Sequence, residues 1–245
     1  LLGQTVDAYG RFLKPPLDLA DLLGMIAEID GIRRIKFITS HPLFIRPKLI
    51  QAMRDIPKVM HYLHMPAQSG SNKILAAMRR GYTREKYVEI IQMAREYVPD
   101  VAIASDFIVG FPGETEEDFE HTVSLMEEIK FSGSFVFKFS PRPGTAAANL
   151  NDDVPWHEKS RRNNVLLEIQ RRHSLTNNRK FIGRTVEVLV EGTSPRDKSR
   201  LIGRTHTNHI VAFKPANGVH PGQFVKVLIE EVTDLTLLGS ISGAV

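Results

Sequence analysis

The strongest constraint in this sequence is a unit that recurs roughly every 30 residues through its first part: an apolar run, a loop rich in Gly, Pro and Ser, then an amphipathic stretch. That alternation is the pattern of βαβ units on a parallel sheet. Residues 35–38, 62–65, 101–109 and 134–139 read as strands, while 47–53, 72–78, a stretch opening at Thr83 and 116–129 read as helices. Thr83 is a suitable N-cap, followed by Lys86, Tyr87, Ile90 and Ile91 at helical spacing. Thr115 and Asp118 have the spacing of a capping box. The Gly/Pro/Ser loops all follow strands, at the carboxyl end of the sheet where such folds place their sites.

After Gly183 the period changes to two. Residues 185–191, 201–205, 209–213, 223–229 and 236–242 read as short strands separated by turn residues, which predicts a small antiparallel barrel. Between the two patterns, 156–180 reads as one long helix. It carries Arg161, Arg162, Arg171, Arg172 and Arg179, with Val165, Leu166 and Ile169 on one face. The expected division is 1–150 for the α/β part, 151–182 for a basic linker helix and 183–245 for the barrel.

Cysteine is absent, so no disulfide, thiol nucleophile or cysteine-held iron–sulfur cluster can be built from these residues. No stretch approaches the ~18 apolar residues of a membrane-spanning helix. Thirty-two basic against 28 acidic residues leave a charge of +4, which permits an anionic partner without requiring one. Leu1-Leu2-Gly3-Gln4 reads like the end of a buried strand entering a loop, which suggests the later part of a longer chain.

Each candidate site has an ordinary structural alternative. Gln68-Ser69-Gly70-Ser71 offers amide and hydroxyl partners to a sugar, or is a βα turn capped by Ser71. Gly110-Phe111-Pro112-Gly113-Glu114 exposes backbone to a flat ring, or is turn chemistry. His41, at a strand end, is a candidate base or a packing residue, as are His61 and His64. Asp106 inside an apolar strand needs a partner or a ligand, and Lys138 is the candidate partner. The arginines and lysines of the long helix and barrel could meet RNA phosphates, or form a solvated face.

Taken in order, LLGQTVDAYG, FITSHP, HMPAQSGS, RRGYTREKY, SDFIVGFPGETEEDF and FKFSPRPGT resemble the methylthiotransferase family of radical S-adenosylmethionine enzymes. GRTVEVLVEG, GRTHTNHIVAF and GQFVKV resemble that family's C-terminal TRAM domain. The resemblance implies an α/β fold: the later portion of a partial (βα)6, TIM-like barrel, truncated at its N-terminal side, followed by a small all-β TRAM barrel. It implies S-adenosylmethionine and two 4Fe–4S clusters as cofactors, with cluster ligands outside this sequence. The implied reaction uses a 5′-deoxyadenosyl radical at C2 of N6-isopentenyladenosine beside the anticodon, and installs sulfur and a methyl group.

The implied partners are tRNA and an electron donor for the cluster, with no membrane partner, in the cytoplasm. By the same resemblance Gln4, Gln68, Ser69, Val109, Gly110, Phe111, Phe139, Ser140 and Pro141 contact the cofactor, and Arg142, Arg204 and Asn208 contact RNA. No catalytic residue or metal ligand is assigned. Two alternatives stay open: the branch of the family that modifies a ribosomal protein, and a non-catalytic RNA-binding module. The segments PAQSGS and SPRPGT favour the tRNA branch over the first.

Overall fold

Short-range signals account for most of the elements. A computed structural model describes residues 1–244, with side chains through 242. In chain order it contains α1 (Leu19–Ala27), α2 (Pro47–Asp55), β1 (Tyr62–His64), α3 (Asn72–Ala77), α4 (Arg84–Tyr97), β2 (Ala102–Val109), α5 (Glu116–Ile129) and β3 (Gly133–Lys138). There follow α6 (Trp156–Arg179), β4 (Thr185–Thr193), β5 (Leu201–Arg204), β6 (Ile210–Phe213), β7 (Phe224–Val232) and β8 (Leu237–Ala244). The Thr115–Asp118 capping box is formed, and the Thr83 hydroxyl accepts from the Lys86 N–H. Among the described residues no helix is long and apolar enough to cross a membrane.

Two compact units result, one of Leu1–Val59 with Leu63–Gln170 and one of Met60–Tyr62 with Arg171–Val245. The first is built on the sheet β1-β2-β3, in which β2 and β3 run parallel. Strand alternation sends Phe107 and Val109 of β2 into the main core, with Phe119, Leu125, Met126 and Ile129 of α5 and Tyr87, Ile90, Ile91 and Ala94 of α4. Each fully buried side chain of this size contributes about 1.5–3 kcal/mol. Ser105 is tolerated in this strand because its hydroxyl accepts from the Ala67 N–H (2.9 Å) and lies 3.3 Å from the Tyr87 hydroxyl. Leu166 and Ile169 of α6 close the core from one side, as their shared helix face predicts.

Two expectations are corrected. Residues 35–38 form no strand: Ile35 makes a single parallel bridge to Val59. The segment runs on beside β1, where the Ser40 N–H donates to the His64 carbonyl (3.0 Å), but Thr39 interrupts the ladder. Its φ of +67° turns its N–H onto the His64 imidazole instead. Leu1 and Leu2 are exposed rather than buried, although the Leu1 carbonyl accepts from the Ile38 N–H. The helix α1 is an addition to the reading; Asp18 and Asp21 form a reciprocal capping box at its start.

The second unit is a closed barrel of order β4-β5-β6-β8-β7, antiparallel except at the β6/β8 pair. Its five strands match the five read from the period-two pattern. Val188, Val190, Val211, Phe213, Val225, Val227, Ile229 and Leu237 fill it. Closure brings backbones together at Gly239, where a Cβ would stand 2.0 Å from the Leu228 carbonyl oxygen.

Candidate functional site at the carboxyl ends of the parallel strands

The loops after β1, β2 and β3 come together because the strands they leave are neighbours. Gln68, with φ +68°, continues the β1 line: its N–H donates to the Asp106 carbonyl (2.8 Å) and its carbonyl accepts from the Ile108 N–H (2.9 Å). Phe139 continues β3, donating its N–H to the Val109 carbonyl (2.8 Å). Ile74, Phe111 and Phe139 then form a small cluster, with the two rings 5.1 Å apart and edge-on. Gln68, Gly110 and Ser140 therefore share one rim.

The rim is braced from behind. Gly70 lies so close to α5 that a Cβ there would stand 2.3 Å from the His121 carbonyl oxygen. Its N–H donates to the Thr122 hydroxyl (2.9 Å). Ser71 caps α3 and donates to Asp118 (2.7 Å), as the structural alternative expected. Gly110 adopts φ +70°, and its N–H donates to the carboxylate of Glu114. That carboxylate is itself buried and pairs with Arg162 of α6 at 2.8 Å. Burial pushes the Glu114 carboxyl up, against the lowering effect of these two donors. Lys159 of α6, also buried, pairs with Asp152 (2.6 Å) beside the Phe139 ring.

Other expected residues fall elsewhere. The Ser69 side chain is buried toward α5, 3.3 Å from the Thr122 hydroxyl and accepting from the Ser71 N–H, so its hydroxyl braces the loop rather than meeting a ligand. The Val109 side chain lies in the core, and its carbonyl is taken by the Phe139 N–H, so the residue is wholly buried. Phe111 is likewise buried in its cluster, whereas Ser140, Pro141 and Arg142 are exposed. Gln4 is exposed in the opening turn. Lys138 does not pair with Asp106; it lies over the Trp156 ring (4.0 Å), because β3 sends it to the opposite face. His64 takes that place, 3.1 Å from Asp106.

His41 packs its ring against Phe44 and Tyr82, and burial together with the Arg80 charge lowers its pKa. Arg161 and Arg162 are engaged by Glu158 and Glu116, which removes them from a free basic face. In the barrel unit Arg204 reaches Glu191 (3.3 Å) and the Asn208 carbonyl (3.3 Å). Asn208 sits at φ +67° in the β5–β6 turn. Beside it, His209 is half-buried, and that desolvation pushes its pKa down to about 4.

Sequence reasoning overlooked Asp7. Its buried carboxylate accepts from the His41 N–H (2.8 Å), tying the opening segment to the 39–41 turn. Burial raises its pKa to about 6 against that bond. A folded pKa above the ordinary value near 4 means that stability is lost as pH rises from about 4 to 6, by at most about 3 kcal/mol. Asp7→Asn should abolish that part of the slope, measured by urea denaturation between pH 4 and pH 7. An unchanged difference between the two proteins across this window would refute it.

A parallel α/β sheet with its loops gathered at one carboxyl-end rim is carried in one chain with a closed five-stranded β-barrel. The chain belongs to the radical SAM superfamily, whose family pattern matches residues 3–126, and the TRAM domain pattern matches 179–241. It is 45% identical over 246 residues to tRNA-2-methylthio-N(6)-dimethylallyladenosine synthase of Chromohalobacter salexigens, covering 99% of this chain and 55% of that protein. It is 47% identical over 252 residues to the protein of the same description from Rhodopirellula baltica, covering 98% and 52%. The chain thus spans about half the length of the curated relatives it matches. Coproporphyrinogen III oxidase of Escherichia coli, described as a radical SAM enzyme, shares the fold at a TM-score of 0.51 and 13% identity, over 86% of this chain and 50% of that one.

The superfamily implies S-adenosylmethionine and iron–sulfur chemistry. A cluster does not fit the residues present: there is no cysteine, and among the described residues no group of three or more His, Asp or Glu side chains is placed to hold a metal ion. A nucleoside does fit. The half-buried Gln68 amide, the exposed Ser140 hydroxyl and the half-buried Ile108 supply, on adjacent strand ends, polar partners for ribose beside an apolar surface.

Proposed function

We propose that this chain is the part of a tRNA methylthiotransferase that holds the nucleoside of S-adenosylmethionine and engages RNA. The substrate is N6-isopentenyladenosine beside the anticodon, modified at C2. Convergence of Gln68, Gly110 and Ser140 on one rim carries the reading, and the relatives' shared description supports it. The three strands belong to a partial (βα)6 barrel. The functional division follows 1–150, 151–182 and 183–245.

Bound S-adenosylmethionine supplies radical chemistry and a methyl group; both iron–sulfur clusters are held by parts of the enzyme outside this sequence. Gln68 and Ser140 hold the ribose. Val109 and Gly110, whose carbonyl and N–H are engaged by Phe139 and Glu114 respectively, shape the strand end on which the adenine rests. Phe111 and Phe139 keep the floor of the rim dry, which protects a reactive carbon centre from side reactions. Gln4 and Pro141 flank this pocket. Arg142, Arg204 and Asn208 face RNA, and an electron donor serves the enzyme in the cytoplasm.

The full-length enzyme, reconstituted with iron and sulfide, is expected to convert isopentenylated tRNA to its 2-methylthio form, read by mass spectrometry of nucleosides. Unmodified adenosine alongside a methylthiolated ribosomal protein would transfer the assignment to the other branch of the family.

A further inference from the structure

Alternation along β2 divides its residues between two environments. Phe107 and Val109 enter the core, whereas Asp106 and Ile108 are half-buried on the opposite face. The parallel register sets Phe135 beside Asp106 and Phe137 beside Ile108. These two rings are 62% and 53% exposed, although the intervening Val136 packs against the core. A carboxylate thus stands on a sheet face next to two open aromatic rings.

Asp106 is held in a defined state. The Thr39 N–H donates to His64 Nδ1 at 3.2 Å, so the neutral ring carries its proton on Nε2, which lies 3.1 Å from Asp106 Oδ1. That arrangement depends on Thr39 adopting φ +67°, an unfavourable backbone for a β-branched residue. Among the described residues His64 is the one hydrogen-bond partner of this carboxylate. A carboxylate has about four acceptor sites, so Oδ2 keeps its full capacity.

Resting on the function proposed above, we infer that Asp106 accepts a hydrogen bond from a neutral donor of the adenosine being modified, and that His64 is its positioning residue. The chemistry selects the ligand group. A carboxylate repels phosphate, so the donor is an N–H of the base or an O–H of the sugar, while Phe135 and Phe137 offer stacking surface to an unstacked base. The N6–H of the base and the ribose 2′-OH both meet this description.

The test uses the full-length holoenzyme and three anticodon stem-loop RNAs. One carries N6-isopentenyladenosine, one a fully N6-substituted analogue without the N–H, and one the 2′-deoxy analogue. Binding is measured by anisotropy, with kcat and KM taken separately. The wild-type enzyme is expected to penalise one analogue about 10- to 100-fold, as loss of a bond to a charged acceptor implies. The analogue penalised identifies the donor.

Asp106→Ala and the isosteric Asp106→Asn, which keeps an acceptor for His64, are expected to erase that penalty. His64→Ala should erase part of it, and His64→Gln, whose amide can reach Asp106, should restore it. A penalty that persists unchanged in both Asp106 variants, or no penalty in the wild type, overturns the inference while leaving the functional assignment intact. Failure of the wild type to bind or modify any of the three RNAs overturns both.

Discussion

Arg162→Ala is expected to cost about 3–5 kcal/mol at pH 8, the penalty for stranding a buried charge. The guanidinium donates to the Glu114 carboxylate (2.8 Å) and to the Glu114 backbone carbonyl (3.0 Å), and both side chains are nearly inaccessible to water. Without the cation, the Gly110 N–H is the one donor left to the Glu114 carboxylate among the described residues, and burial drives its carboxyl higher still. The sign with pH follows: a folded pKa above the unfolded one makes the variant regain stability as pH falls and Glu114 takes a proton. The deficit measured by urea denaturation should therefore shrink between pH 8 and pH 5. Arg162→Met combined with Glu114→Gln should recover most of it, because the charge that needed a partner is gone. A deficit independent of pH in the single variant, or undiminished in the double, would show that the pair is not what holds this loop.

Gly70→Ala is the second large effect, expected at about 3 kcal/mol or more in a thermal or urea melt. A methyl group there would stand 2.3 Å from the His121 carbonyl oxygen and 2.6 Å from the Thr122 Cα. These are backbone atoms of a helix packed into the core, so neither can swing aside as a side-chain tip would. The loop must retreat, breaking the Gly70–Thr122 bond and shifting Gln68 at the rim. A variant as stable as the parent would mean that α5 yields freely, contrary to the burial of Phe119, Leu125 and Met126.

The placement of the candidate positions was legible where they coincide with strand ends. Gln68, Gly110 and Ser140 could be placed at one rim because neighbouring parallel strands deliver their loops to the same side. Side-chain direction was not legible. Ser69 and Gln68 are adjacent in the same motif, yet Ser69 turns to Thr122 while Gln68 stays at the rim. The arginines of α6 read as one charged face, but Arg161 and Arg162 are taken up by Glu158, Glu116 and Glu114. The start of α1 was readable in retrospect from Asp18 and Asp21, whose mutual capping is as local as that of Thr115 and Asp118.

What the sequence alone determined is whatever depends on neighbours within a turn or two: the caps, the change of period after Gly183 and the five short strands. Partnership was decided by the tertiary structure. Asp106 met His64 across 42 residues rather than Lys138, and Glu114 met Arg162 across 48. Charge interacts with whatever the fold brings within a few ångströms, and no local pattern encodes which residue that is.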